Sequence, residues 1–339
     1  MSTALVTGAS SGIGAVYAHR LAHRGYDVVL VARSEDRLHE LAAQLIAETG
    51  REVDIQVADL GRHDDVARIE ELLTSNDDIT VLVNNAGIGA VSALVDSDVD
   101  AMEQMITVNV TALTRLAYAF VPVALRRGTG TLINIGSVVG VAPEILNGVY
   151  GATKAYVLAF TQSLQHELSA SGVRAQAVLP NTTATRFWDV AGRPLANPAG
   201  VMSAEDLVDA ALIDLDRGEL ISIPPLQDQA QWDSFAWARE VLKANFGASR
   251  PAPRYANAGL RDRIEQFLEG VRHGLPAGLS GGEFRVGEQA RVEQFRHAVR
   301  IEMLRGERQQ LNAVAVARVP LRRGGDAALR RVLLPLFVG

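Results

Sequence analysis

Short apolar runs alternating with helical patterns along residues 1–250 predict an α/β fold: a doubly wound parallel sheet of about seven strands with helices on both faces. Two further observations support it. Most of the runs are apolar on both faces, as in strands buried on both sides, rather than strictly alternating apolar with polar. A glycine-rich turn, Thr7-Gly8-Ala9-Ser10-Ser11-Gly12-Ile13-Gly14, joins the first run to the first helix.

The elements follow in order. Residues 3–6 form a buried strand, and the turn leads into a helix through about residue 24. Residues 27–32 (DVVLVA) are a second strand. Residues 35–49 are helical, with Leu38, Leu41, Ala42 and Leu45 on one face. Strands at 53–57 and 80–83 flank a helix at 64–73. One long helix is expected over 98–126, then a strand at 131–135, a helix at 148–170 and a strand at 173–179. A helix at 203–217 and a strand at 220–223 complete the alternation. In such a sheet ligands bind beyond the carboxyl ends of the strands, where the winding direction reverses.

Bulk properties narrow the class. Hydrophobic content of 48% and charged content of 21% fit a soluble globular protein of 339 residues. With no cysteine, disulfides and thiolate metal sites are excluded, and a cytoplasmic location is expected. Residues 1–8 do not read as a signal peptide. No apolar run approaches the ~20 residues of a membrane span. A net charge of −6 gives no reason to expect nucleic acid as a partner. The charge is uneven. Residues 1–250 hold 18 Lys+Arg against 30 Asp+Glu, net −12; residues 251–339 hold 15 against 9, net +6. The break falls at Pro251-Ala252-Pro253, so two units are expected, 1–250 and a basic extension, 251–339. The histidines read as scattered, without metal-ligand spacing, and no metal is expected.

Gly8 and Gly12 permit tight turns and close approach of a pyrophosphate, and Gly14 lets the helix pack on the sheet. The helix N-terminus offers free N–H groups to an anion. The alternative is a turn that merely links strand and helix. Lys154 is one of only two lysines among 33 Lys+Arg residues, and it follows Tyr150 by one helical turn. An ammonium beside a phenol lowers the phenol pKa and makes it a general acid or base near neutral pH. The alternative is an amphipathic helix with a snorkelling lysine.

Thr7–Gly14, Asn84-Asn85-Ala86-Gly87, Ser137 and Tyr150-x-x-x-Lys154 occur together in the order and at the distances of the short-chain dehydrogenase/reductase family, which residues 1–250 resemble. The resemblance implies a Rossmann-type sheet and hydride transfer between a nicotinamide cofactor and a small-molecule carbonyl or alcohol. Ser137 can donate to a carbonyl oxygen that gains negative charge. Tyr150 would give or take the proton, while Lys154 stabilises tyrosinate and holds the nicotinamide ribose. By resemblance, Asn109 places a water in a proton relay to Lys154; the alternative is a core amide satisfied locally.

The resemblance also assigns the cofactor contacts. The turn residues Gly8, Ser10, Ser11, Gly12, Ile13 and Gly14 would hold the pyrophosphate. Asp59 and Leu60 would hold the adenine, although Asp59 also suits a helix N-cap. Asn85, Ala86 and Gly87 suit a turn against a sugar, or an ordinary turn. Pro180, Thr182 and Thr185 lie at the nicotinamide end, where Asn181 replaces the family's usual glycine. The second strand ends in Val31-Ala32-Arg33-Ser34 without an acid, so Arg33 is read as a phosphate contact and NADP(H) is expected in preference to NAD(H). An exposed arginine at a helix start is the alternative.

The segment 187–201, with Phe187, Trp188 and Leu195, reads as a lid over the nicotinamide end and favours an apolar ketone, aldehyde or secondary alcohol. Trp232, Phe235 and Trp237 read as a peripheral helix or a subunit contact. Residues 261–270 and 288–308 carry helical patches and 332–338 are apolar. The extension is therefore expected to be mainly helical or weakly ordered, serving self-association, a partner, or neither. Family likeness implies a homodimer or homotetramer. A second reading from another class is a non-catalytic cofactor sensor or scaffold.

Overall fold

The computed structural model describes residues 2–191, 200–252, 255, 315–319 and 330–334. Seven parallel strands form one sheet: β1 (Thr3–Thr7), β2 (Asp27–Ala32), β3 (Val53–Val57), β4 (Ile79–Asn84), β5 (Gly130–Ile135), β6 (Val173–Val178) and β7 (Ile221–Ser222). Their order is β3-β2-β1-β4-β5-β6-β7. Winding reverses between β1 and β4, which pair directly with Val6 opposite Val83. The expected α/β architecture is therefore present, and the strand ends that carry the predicted motifs converge beside this reversal.

The apolar runs are buried on both faces because helices cover both. On one face α1 (Gly12–His23), α2 (Glu35–Thr49) and α8 (Ala204–Arg217) pack Tyr17, Leu21, Leu38 and Leu215 against Val6, Leu30 and Ile133. On the other, α3 (His63–Ser75), α5 (Leu113–Arg127) and α6 (Gly148–Leu168) pack Ile69, Leu116, Phe120 and Leu164 against Leu5, Leu82 and Leu132. Ion pairs Arg20–Asp209 (2.7 Å) and Arg24–Asp216 (2.8 Å) tie α1 to α8. Being exposed, each contributes no more than about 1 kcal/mol.

Three local findings bear on the sequence reading; the first and third depart from it, and the second agrees. The helix expected over 98–126 is interrupted: α4 (Val99–Ile106) and α5 are joined by a π-helical turn, Thr107–Ala112. Asn109 lies in that turn, 1% exposed. By length and composition Val99–Arg127 is apolar enough to cross a membrane, but half of its most apolar window is buried. Its side chains Leu116, Phe120 and Ala124 belong to the sheet-facing core, which accounts for that composition. Second, α9 (Gln229–Ala244) is a peripheral helix; Trp232 packs against the cluster of Leu158, Ala177 and Leu179, while Trp237 is 70% exposed. Third, the histidines are not all scattered. His19 and His23 stand four apart on α1 and face Glu48 of α2, which corrects the reading that no metal-ligand spacing exists. That spacing was available in the sequence; the glutamate facing it was not.

Contacts divide the chain into Met1–Lys243 and Ala244–Gly339. In the second unit the described strands β8 (Ala315–Val319) and β9 (Arg330–Leu334) pair antiparallel. The helical patches expected at 261–270 and 288–308 lie outside the described residues, as does Leu195 of the expected lid.

Candidate active site

The first feature of the site is the turn after β1. Gly8 and Gly12 have φ of +66° and +55°, a region that side chains with a Cβ rarely adopt. Thr7 fixes the turn to the end of β4: its hydroxyl donates to the Val83 carbonyl (3.1 Å) and accepts from the N–H groups of Asn85 (2.9 Å) and Ala86 (3.0 Å). Asn85 returns the contact, its Nδ2 donating to the carbonyls of Thr7 (2.9 Å) and Gly8 (3.3 Å). Ser11 is the α1 N-cap in extended conformation, and no side chain caps it. The first N–H groups of α1 are thus left for an anion, which fits a pyrophosphate.

A cleft of about 760 Å³ runs along these strand ends. Gly8, Ser10, Ser11 and Ile13 line it, as do Asn85, Ala86 and Gly87. Gly12, Gly14 and Asn109 do not; they shape it from behind. Thr185 lines it too and rests on Gly12, where a Cβ would meet its Cγ2 at 2.8 Å. Asp59 and Leu60 line one end. The Asp59 carboxylate accepts the Gly61 N–H at 2.9 Å, so it closes a turn of its own rather than capping α3, whose N-cap is Arg62.

Arg33 lines this end, and so do Ser34 and Arg37, which the sequence reading missed. Arg37 donates to the Ser34 hydroxyl. Two guanidinium groups and a hydroxyl there can hold an anionic group, and Asp59 lines the same end. The signal was present in Arg33-Ser34-x-x-Arg37, which puts the second arginine on the first turn of α2.

At the other end β5 delivers Ser137 and α6 delivers Tyr150 and Lys154. All three are buried and line the cleft. The Ser137 hydroxyl donates to the Pro180 carbonyl at 3.3 Å, accepts the Val139 N–H at 3.3 Å, and pulls the Tyr150 pKa downward. Asn147, also missed, sets the start of α6. Its Oδ1 accepts from Val149 (2.9 Å) and Tyr150 (3.2 Å), while its Nδ2 donates to the Ser92 carbonyl (2.6 Å). Lys154 lies 5.8 Å from the Tyr150 ring centroid and donates to the Ile135 carbonyl at 2.9 Å.

The electrostatics differ from the expectation that lysine lowers the tyrosine pKa. Burial pushes Tyr150 up to about 12, against a smaller pull downward from Ser137. Burial also pushes Lys154 down to about 8. Desolvation is the largest cause at Tyr150 and the one named at Lys154, so loss of water outweighs the neighbouring charge at both groups. Tyr150 therefore holds its proton at neutral pH.

A stability prediction arises here. Between about pH 8 and the ordinary lysine value of 10.5, the unfolded chain binds more protons at residue 154 than the folded chain. Stability from this group rises with pH through that window. Tyr150 opposes the rise above its ordinary value of 10.0. Denaturant midpoints at about pH 7.5 and pH 9.5 should show a gain in the wild type that Lys154→Met lacks. Equal pH responses would refute the burial argument.

Asn109 uses its whole amide. Oδ1 accepts the Ile88 N–H (2.9 Å), and Nδ2 donates to the Ile88 carbonyl (2.8 Å) and to Thr153 Oγ1 (3.1 Å). These contacts agree with the locally satisfied core amide. Thr153 in turn donates to the Tyr150 carbonyl at 2.8 Å.

The described part of the expected lid, α7 (Phe187–Val190), closes the apolar side. Phe187 rests on Gly89, where a Cβ would overlap its ring, and lies 5.7 Å from the Tyr150 ring. Ile88, Val139 and Leu146 join it in one cluster. Trp188 anchors the segment through a 2.9 Å bond to the Thr183 carbonyl. Pro180 and Thr182 line the cleft, and the Met202 N–H bonds the Thr182 carbonyl at 3.0 Å. Asn181, at the family's glycine position, lines it as well and donates weakly to the Gly200 carbonyl at 3.5 Å.

Residues 2–194 match the family model described as short chain dehydrogenase. An uncharacterized oxidoreductase of Staphylococcus epidermidis is 34% identical over 223 residues, covering 65% of this chain and 93% of the relative. A short-chain dehydrogenase from Sphingobium yanoikuyae, solved with NADPH, is 49% identical with a TM-score of 0.73 and covers 75% of this chain and 100% of its own. The bulky-bulky ketone specific alcohol dehydrogenase from Comamonas testosteroni is 42% identical with a TM-score of 0.70, covering 76% of this chain and 99% of its own.

Proposed function

Because the chain belongs to the short-chain dehydrogenase family, its family pattern spanning residues 2–194, we propose that it transfers a hydride between NADP(H) and a carbonyl or alcohol substrate, with Tyr150 as general acid and base. The observation that carries this reading is the meeting of Ser137, Tyr150 and Lys154 at one end of a cleft whose other end holds Arg33 and Arg37. NADP(H), when bound, supplies or accepts the hydride. The chain does the rest. Ser137 donates a hydrogen bond to the substrate oxygen, and Tyr150 passes its proton to that oxygen as it gains charge. Lys154 balances the tyrosinate that results and donates to the nicotinamide ribose. Asn109 holds the segment after β4 through its two bonds to Ile88.

The turn residues and Thr185 would hold the pyrophosphate and nicotinamide end, and Asp59 and Leu60 the adenine. Arg33 and Arg37 favour NADP(H) over NAD(H). Replacing Arg33 by Asp should raise KM for NADPH at least about tenfold while changing KM for NADH far less; equal effects would sink the preference. The apolar wall of Ile88, Val139, Leu146 and Phe187 favours an apolar ketone, aldehyde or secondary alcohol. Likeness to a bulky-ketone enzyme puts ketones with two large substituents at the head of the panel. NADPH oxidation against ketones and aldehydes tests the reading directly. Cofactor binding with no turnover on any member would favour the sensor or scaffold alternative, which the presence of both Tyr150 and Lys154 argues against.

Exposed Val99, Ile106, Tyr118 and Leu125 on α4 and α5 support a homodimer or homotetramer. The absence of cysteine agrees with a reducing cytoplasm. The catalytic unit falls within 1–250. Protease trimming near Pro251 should leave most NADPH oxidation intact, and its loss would assign the extension to the functional unit.

A further inference from the structure

His19 and His23 of α1 and Glu48 of α2 form a cluster none of whose members lines the catalytic cleft. The imidazole rings stack with centroids 4.2 Å apart and planes 24° from parallel. Glu48 Oε2 lies 2.7 Å from His19 Nε2 and 3.8 Å from His23 Nε2. One donor atom from each residue lies within 4.8 Å of the other two. We infer that these three side chains bind a divalent transition-metal ion of the zinc class.

The geometry is close to what such an ion needs. Bonds of about 2.0–2.1 Å in a tetrahedron separate neighbouring donors by about 3.4 Å. The two measured separations bracket that value and the third lies within 4.8 Å, so shifts of no more than about 1.5 Å would close the site. Two histidines one helical turn apart present their nitrogens on one face, and a carboxylate from a neighbouring helix adds a third donor. The fourth position stays open to water. Side-chain exposures of 27%, 45% and 36% for His19, His23 and Glu48 give an ion direct entry.

The surroundings orient the donors. His23 Nδ1 lies 2.9 Å from the His19 carbonyl, so it carries the ring proton and leaves Nε2 with its lone pair. Gln44 donates to Glu48 Oε1 at 2.8 Å and leaves Oε2 for the cluster. The Gln44 bond, and then His19, hold the Glu48 carboxyl below the usual carboxylate range. His23 ends α1 and Glu48 is next to last in α2, so a cation there meets the negative ends of two helix dipoles. One opposing charge is close: Arg20 Nη1 lies 3.3 Å from His19 Nδ1. That guanidinium is gripped by both oxygens of Asp209, at 2.7 and 3.0 Å. Its donation to Nδ1 puts the His19 proton on Nε2, facing Glu48. An ion binding at Nε2 must displace that proton. Two nitrogen donors with one oxygen select zinc-class ions over Mg²⁺ or Ca²⁺, which prefer all-oxygen shells.

Zn²⁺ titrated by calorimetry into full-length protein freed of metal with EDTA should bind at one ion per chain. The heat should depend on the buffer because a proton is released. Zn²⁺ should also raise Tm, reversibly with EDTA, while Mg²⁺ leaves it unchanged. His23→Ala and Glu48→Gln should each weaken Zn²⁺ binding at least about tenfold, and His39→Ala should leave it unchanged. Wild-type far-UV circular dichroism in EDTA would show that the variants fold. Zn²⁺ affinity unchanged in His23→Ala, an equal Tm response to Mg²⁺, or no saturable binding would each overturn the site.

Discussion

Replacing Tyr150 by Phe should lower kcat by about 10²–10⁴-fold, the range that a positioned proton donor contributes, and leave the Kd for NADPH within about threefold. Phe keeps the ring that packs 5.7 Å from Phe187 and leaves the N-cap bond from the residue 150 N–H to Asn147 untouched. Only the hydroxyl goes, and with it the group that interacts with Ser137. NADPH fluorescence titration checks binding, and steady-state NADPH oxidation checks turnover. Activity within about threefold of wild type would refute Tyr150 as the proton donor. Impaired NADPH binding beside lost turnover would show instead that the hydroxyl supports the cofactor site.

The second large effect is expected at Gly14. A Cβ there would collide with the Gly8 carbonyl oxygen and come within 2.5 Å of Asn85 Nδ2. Neither neighbour can move freely. Gly8 holds the φ of +66° that turns the chain under the cofactor phosphates, and Asn85 Nδ2 is bound to the Thr7 carbonyl. Gly14→Ala should therefore destabilise the protein by about 1–3 kcal/mol, as overpacking does. That corresponds to a Tm loss of about 2–12 °C for a domain of this size. The turn must open to relieve the contact, so NADPH affinity should fall at least about tenfold. Gly148→Ala is the control: a Cβ there has no neighbour within 4 Å and sits at the first position of α6, so it should be neutral or slightly stabilising. Wild-type Tm and NADPH affinity in Gly14→Ala would show that the turn tolerates a side chain.

The sheet was legible in the sequence because strands buried on both faces are apolar, as residues 27–32 are; residues 53–57 alternate apolar with polar because β3 is the edge strand. The glycine turn, Ser137, Tyr150 and Lys154 were legible because their spacing is tied to strand ends. The π-turn at 107–112 was not. Thr-Val-Asn-Val-Thr-Ala has ordinary helical composition, and its widened hydrogen bonding goes with the anchoring of Asn109 to Ile88, 21 residues earlier. Asn147 was missed for a related reason: it acts through the Ser92 carbonyl, which only tertiary structure brings near, whereas the Arg37 signal lay in its three-residue spacing from Ser34. The direction of the Tyr150 shift was misjudged because residue spacing reveals a neighbouring charge but not the loss of water around it. The sequence argument weighed the ammonium and left burial out.

The Asn109 amide has a consequence for how this chain tolerates change in length. By giving Ile88 both a donor and an acceptor, the side chain imitates a peptide group and serves as a one-residue partner strand for the segment beyond β4. The π-turn supplies the extra residue that puts this amide in register. Removing one residue from 107–112 would restore regular helical winding but rotate position 109 by about 100°, carrying the amide away from Ile88. The irregular turn and the backbone that lines the cleft at Gly87–Gly89 are therefore a single unit of length, and a deletion that improves the helix would unfasten the site.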